Sequence, residues 1–227
     1  MFSLNSLKSV AAFLIVCLYA TGASAALITN GFTFAVASDG FDNSSGSHYH
    51  SSTGGDFGNP AGQAEVGRYF DEEVRGLSEY NLFGLGNSAT AFVTFNVASL
   101  TGLFPEYQTP FGVGNISVFA YEGNNLENIS DYEAASAASI GSFSTAGLAV
   151  NDTISMDIAS AFNDAITGGW TSFGIRLQSN PLVGEGAMIF NDFRLTTDDQ
   201  TTVPLPSSLA LIGLALGVLG FLRRRPT

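Results

Sequence analysis

His48 and His50 are the only histidines in the 227-residue chain, and they stand two apart around Tyr49. On an extended strand, side chains two apart share a face. Both imidazoles could then turn to one ion, with Asp39, Asp42 or Asp56 supplying an oxygen. No third ligand is fixed by spacing. The stretch from Ser38 to Gln63 is rich in Gly, Ser and Asp, which reads as a long surface loop, partly disordered. The sequence therefore favours solvent exposure for both rings over a metal.

The carboxylates offer a second chemistry. All twenty lie between Asp39 and Asp199. Two groups are dense in hard oxygen donors, Asp39/Asp42 beside Asn43, and Asp71/Glu72/Glu73. Calcium takes such ligands, and structural calcium is the one cofactor the sequence suggests, although neither group has the EF-hand spacing. No catalytic signature emerges. A Ser-His-Asp triad would have to use His48 or His50, and no G-x-S-x-G elbow exists. A glycosidase pair could be drawn from twenty acids, but no spacing selects one. Gly84-Leu85-Gly86-Asn87-Ser88-Ala89 mimics a dinucleotide fingerprint, yet a strand pattern follows where a helix is needed. The chain reads as non-enzymatic.

The elements around these residues are β. Ala91, Val93, Phe95 and Val97 alternate with Phe92, Thr94 and Asn96, a period of two. Phe32/Phe34/Val36, Ile116/Val118/Ala120, Ile154/Met156/Ile158 and Phe173/Ile175/Leu177 repeat it. A last strand over Met188–Leu195 changes phase at Asn191-Asp192, which predicts a bulge. One helix is expected, with Ile158, Phe162 and Ile166 on one face and Gly168-Gly169 ending it. Nineteen phenylalanines suit a two-layer core. The expectation is a mainly β chain, a single β-sandwich or jelly roll with one short helix over residues 26–202.

The ends are different. Lys8 precedes an apolar run from Val10 to Ala20, and Ala23-Ser24-Ala25 follows, the pattern of a secretory signal peptide over residues 1–25. Lys8 and Cys17 are the only lysine and the only cysteine. Their removal leaves a body without thiols, hence without disulfides. Residues 26–202 then carry twenty carboxylates against Arg68, Arg75, Arg176 and Arg194, a formal charge near −16 (4 − 20). Such a surface repels phosphate backbones, which excludes nucleic acid as a partner.

Residues 203–227 close the chain. Val203-Pro204-Leu205-Pro206 precedes an apolar segment over 207–222, and Arg223, Arg224 and Arg225 follow. Leu209–Leu222 would cover roughly 21 Å as a helix, a marginal bilayer span. The arginines would hold its end in the cytoplasm, with the body outside. This tripartite tail resembles the PEP-CTERM sorting signals, in the variant with a V-P-L-P-A motif; Ser207 replaces the alanine. The resemblance implies a transient single-pass stay in the inner membrane of a Gram-negative cell. It also implies processing by an exosortase-like enzyme after signal peptidase, then a place at the cell surface or outside, often with exopolysaccharide or biofilm. Within the body, "EVRGLSEYNLFGLGNSATAFVTFNV" and "ISMDIASAFNDAITGGWTSFGIRL" resemble the DNRLRE-type surface β-sandwich, a fold similar to carbohydrate-binding modules. The expected role is an exported surface or matrix protein. Carbohydrate binding is the alternative, and a polysaccharide hydrolase ranks below it.

The signal reading makes Ala26 the mature N-terminus, because Ala23 and Ala25 are the small residues a signal peptidase accepts. Mass spectrometry of exported protein should show Ala26 first; material that keeps Met1 after export would refute it.

Overall fold

The computed structural model describes residues 27–40, 42–54, 60–180 and 186–197. Residues 1–25 and 203–227, read above as a signal peptide and a sorting tail, lie outside them, as does Asp56. Twelve strands follow in chain order: β1 (Leu27–Asn30), β2 (Phe32–Asp39), β3 (Asp42–Ser51), β4 (Ala64–Tyr69), β5 (Glu72–Asn81), β6 (Ala91–Ser99), β7 (Thr109–Pro110), β8 (Asn115–Gly123), β9 (Ser136–Ser144), β10 (Thr153–Asp157), β11 (Ser172–Asn180) and β12 (Gly186–Thr197). A 3₁₀ turn (Ile129–Tyr132) stands between β8 and β9, and one α-helix, α1 (Ala159–Gly168), between β10 and β11. The fold is mainly β. Its main path runs β10-β6-β12-β4-β5-β11-β8-β9, all antiparallel, and is nearly closed. β3 adds to β2, and β2 adds to β5.

The period-two runs behave as the alternation requires. Ala91, Val93, Phe95 and Val97 are fully buried, as are Ile116, Val118, Ala120, Phe173, Ile175 and Leu177. They share one core with Met188, Phe190, Phe193 and Leu195 of β12 and with Phe162 of α1. The bulge in β12 is present: its register against β6 shifts between Asn191 and Arg194, and Asp192 has φ +53°. The helix also stands where the pattern places it. Asp157 Oδ1 accepts the Ala159 N–H at its start. Gly169 closes it in the left-handed region, φ +74°, a conformation that favours glycine.

Phe34 and Val36 are buried too, but in a separate cluster with Leu77, Tyr121 and Tyr132. This cluster lies on the other face of β5, because β5 is covered on both sides. Ser78 and Tyr80 point one way; Glu73, Arg75, Leu77 and Glu79 point the other. The second face is roofed by the strap from Glu122 to Ser136, which carries the 3₁₀ turn. Buried Glu79 accepts the Asn124 and Asn125 N–H groups, Tyr121 Oη–H and Ser172 Oγ–H. Buried Arg176 donates to the carbonyls of Tyr132 and Ala134 and to Ser136 Oγ. Arg75 meets the Glu73 carboxylate with two nitrogens at 2.9 and 3.0 Å, donates to Tyr132 O, and lies 3.9 Å over the Tyr132 ring. Polar groups thus fasten the roof, and each charged one finds partners.

The reading of residues 38–63 as a loop needs correction. β3 occupies its middle and pairs with β2 through three register shifts. It carries no apolar alternation because only its last two residues, His50 and Ser51, are buried, and both are polar. Strap residues hold its free side: Gly46 N–H donates to Glu133 Oε2, and Tyr49 Oη–H to Glu127 O.

The strap gives a pH signature. Burial and the nearby Glu79 and Glu133 charges push Asp131 from 3.8 up to about 7, against the hydrogen bond that its carboxylate accepts from Asn128 N–H. Arg176 and the Tyr121 hydroxyl face the same pocket. A carboxyl raised on folding favours the folded state when protonated. That contribution is full below the unfolded value near 3.8 and is lost as pH rises through about 7. Asp131→Asn keeps the acceptor for Asn128 and removes the charge. The variant should melt higher than wild type at pH 8 and no higher at pH 4; equal differences at both would remove the titration.

Candidate functional site

The two histidines meet at the junction of β3, β4 and β5. Both rings do share a face of β3, with centroids 5.3 Å apart. Their surroundings differ from the sequence expectation. His50 is 2% exposed, not solvated, while His48 is partly exposed. The oxygen partner is neither Asp39 nor Asp42. It is Glu72, at the start of β5, whose Oε2 lies 3.5 Å from His48 Nε2 and 3.5 Å from His50 Nε2.

A second carboxylate sets the orientation of His50. Glu65 of β4 is fully buried, and its Oε2 lies 2.7 Å from His50 Nδ1. An ionised carboxylate only accepts, so Nδ1 carries the proton. The other Glu65 oxygen accepts from Leu103 N–H at 3.1 Å and from Gln108 Nε2 at 2.7 Å. Gln108 is fixed in turn: its Oε1 accepts the Phe104 N–H, and Nε2 also donates to Arg68 O. Gly102 passes beside this pair so closely that a Cβ there would overlap Gln108 Oε1 and Glu65 Oε1.

The walls are aromatic. Tyr69 and Phe104 meet the His50 ring edge to face at 5.2 and 5.5 Å. Phe70 and Tyr107 continue the cluster outward, 5.9 Å apart and 52% and 56% exposed. Burial opposes a charge on His50, yet the contacts with Glu65 and Glu72 outweigh it and push the ring from 6.5 up to about 9. The arrangement can therefore hold a cation between Glu72 and the imidazoles, whether a proton or a metal ion.

The other predicted ligands do not converge here. Asp39 and Asp42 oppose each other at the β2–β3 turn, and the Ser44 hydroxyl and then the Ser44 N–H hold the exposed Asp42 carboxyl below its usual pKa. The Asp71/Glu72/Glu73 run separates by strand geometry. Asp71 is half-buried in the turn, Glu72 faces the histidines, and Glu73 turns to Arg75 and Tyr132. Among the described residues, His48, His50 and Glu72 are the group of three whose donor atoms all lie within 4.8 Å of one another. Glu65 and Gln108 were not foreseen; they reach the site from 15 and 58 positions beyond His50 (65 − 50 and 108 − 50), and no local motif marks them. Neither a family model nor a curated protein matches the chain.

Gly102→Ala tests the tightness of this shell. Overpacking of this kind costs roughly 1–3 kcal/mol, and a domain of this size should melt several degrees lower. An unchanged melting temperature would show that Gln108 and Glu65 are free to move.

Proposed function

We propose that the chain is an exported protein of the cell surface or extracellular matrix, with a β-sandwich body over residues 26–202. The observation that carries this reading is the pairing of the two ends: a signal-peptide pattern at 1–25 and a Val203–Pro206 motif, apolar segment and arginine cluster at 203–227. The tail resembles a sorting signal, and an exosortase-like enzyme in the inner membrane is the partner that such a signal addresses. Two properties of the body suit this route. It has no cysteine to misoxidise outside the cytoplasm. Its strands β6, β10 and β12 share one core with β8 and β11, as two layers of a sandwich do.

Carbohydrate binding by the body is the second reading, and one observation favours it. Phe70 sits at the β4–β5 turn with φ +51°, a strained backbone for an aromatic residue, and it is exposed beside Tyr107. Strain that displays an aromatic face suits stacking against the apolar face of a sugar ring. Exopolysaccharide is the ligand class that the export route brings within reach.

Two measurements follow. The mature protein should end near Val203–Pro206, and replacing Arg223, Arg224 and Arg225 with Ser should alter its retention and processing. A wild-type protein that keeps its C-terminal peptide in the inner membrane would instead be a permanently anchored one. For the second reading, migration through gels containing exopolysaccharide should be retarded, and Phe70→Ser with Tyr107→Ser should abolish the retardation. Equal migration of wild type and double variant would leave the surface-protein reading without a sugar ligand.

A further inference from the structure

We propose that His48 Nε2, His50 Nε2 and the Glu72 carboxylate form a mononuclear site for a zinc-class divalent transition metal, with Glu65 as the positioning residue behind His50. The proposal is independent of how the chain is exported.

Geometry is the first support. In a tetrahedral zinc site with bonds of about 2.0–2.2 Å, neighbouring donor atoms lie roughly 3.3–3.6 Å apart. Glu72 Oε2 lies 3.5 Å from each imidazole Nε2. That is longer than a good hydrogen bond and matches two edges of such a tetrahedron. Glu72 Oε2 is shielded from solvent and has no hydrogen-bond donor in good geometry among the described residues. Its charge is met by the two imidazoles only at that long distance, and a metal ion seated between the three groups would compensate it more directly.

Orientation is the second support. A metal-binding histidine commonly donates its other ring N–H to a carboxylate, which fixes the tautomer and raises its basicity. His50 Nδ1 does this toward Glu65. Glu65 is itself held by Leu103 and Gln108. A chain of three hydrogen-bonded groups thus aims His50 Nε2 at Glu72.

Donor chemistry selects the metal. Two imidazole nitrogens and one carboxylate suit zinc and its neighbours, whereas calcium takes oxygen throughout. Three protein ligands leave one position. It lies on the side of half-exposed His48, where water or an external donor can reach. Tyr69 and Phe104 pack edge to face on the His50 ring and hold it in place.

The test uses the full chain in mild detergent, stripped with a chelator and titrated with Zn²⁺ against a chromophoric competitor at pH 8, where protons compete less for the imidazoles. Co²⁺ in place of zinc reports geometry through its visible absorption. One ion per chain and tetrahedral cobalt bands are expected. Glu65→Gln should weaken binding about 10–100-fold. His50→Ala should abolish it, but it also removes a buried ring packed on Glu65, Tyr69 and Phe104, so His48→Ala is the deciding variant. It alters a partly exposed side chain, should keep the wild-type circular dichroism, and should lose at least tenfold in affinity. Failure of the wild type to take up zinc or cobalt, zinc binding by His48→Ala and Glu72→Gln as tight as wild type, or stoichiometric displacement of zinc by calcium would each overturn the site.

Discussion

Strand β5 has no face toward water along most of its length, and the rest of the fold answers to that. One side of β5 must pack on the main core, so its alternate residues are small or apolar: Gly76, Ser78, Tyr80. The other side carries Glu73, Arg75 and Glu79, which a sheet cannot bury bare. The Glu122–Ser136 strap resolves this by bringing backbone amides to Glu79 and backbone carbonyls to Arg75 and Arg176. Main-chain groups of a loop would need water or partners in any case. Here the loop and the charged strand satisfy each other.

The same strand fixes the metal-ligating geometry. Glu72 begins β5, immediately after the two-residue turn Phe70-Asp71 from β4, so Glu65 and Glu72 approach His50 from successive strands of one hairpin. β3 brings the histidines only because β2 bridges it to β5. The strap also grips β3 through Glu127 and Glu133. Roof and site therefore share their supports, and a change that frees the strap also loosens the strand that carries His48 and His50.

What the sequence disclosed follows from how each element earns its stability. β6, β8, β11 and α1 bury one apolar side, and their period was plain. The β12 bulge showed as a break in phase at Asn191-Asp192. β3 and β4 were hidden for a physical reason. β3 is Ser- and Gly-rich and is held by backbone pairing and by strap contacts. β4 buries Glu65 beside Ala64 and Val66, which breaks any apolar pattern. The paired histidines are visible as a motif whose rings would share a face on a strand, but the segment that carries them reads as a loop. Their burial was not visible, since Glu65, Glu72 and Gln108 come together only through the β3–β2–β5–β4 pairing and the loop after β6.

The near-closure of the sheet leaves few lateral edges. β9 and β10 end the main path, and they lie next to each other: a Cβ added at Gly141 would touch the Met156 methyl. β3, which pairs with β2 alone among the described strands, has the 3₁₀ turn against it, and Gly46 sits where any larger residue would strike Ile129 O. Unpaired strand edges recruit strands from other molecules and seed fibres. Where β3 is covered by the 3₁₀ turn, that edge offers no free ladder to a strand from another molecule, so sheet extension at β3 would first require the strap to lift away.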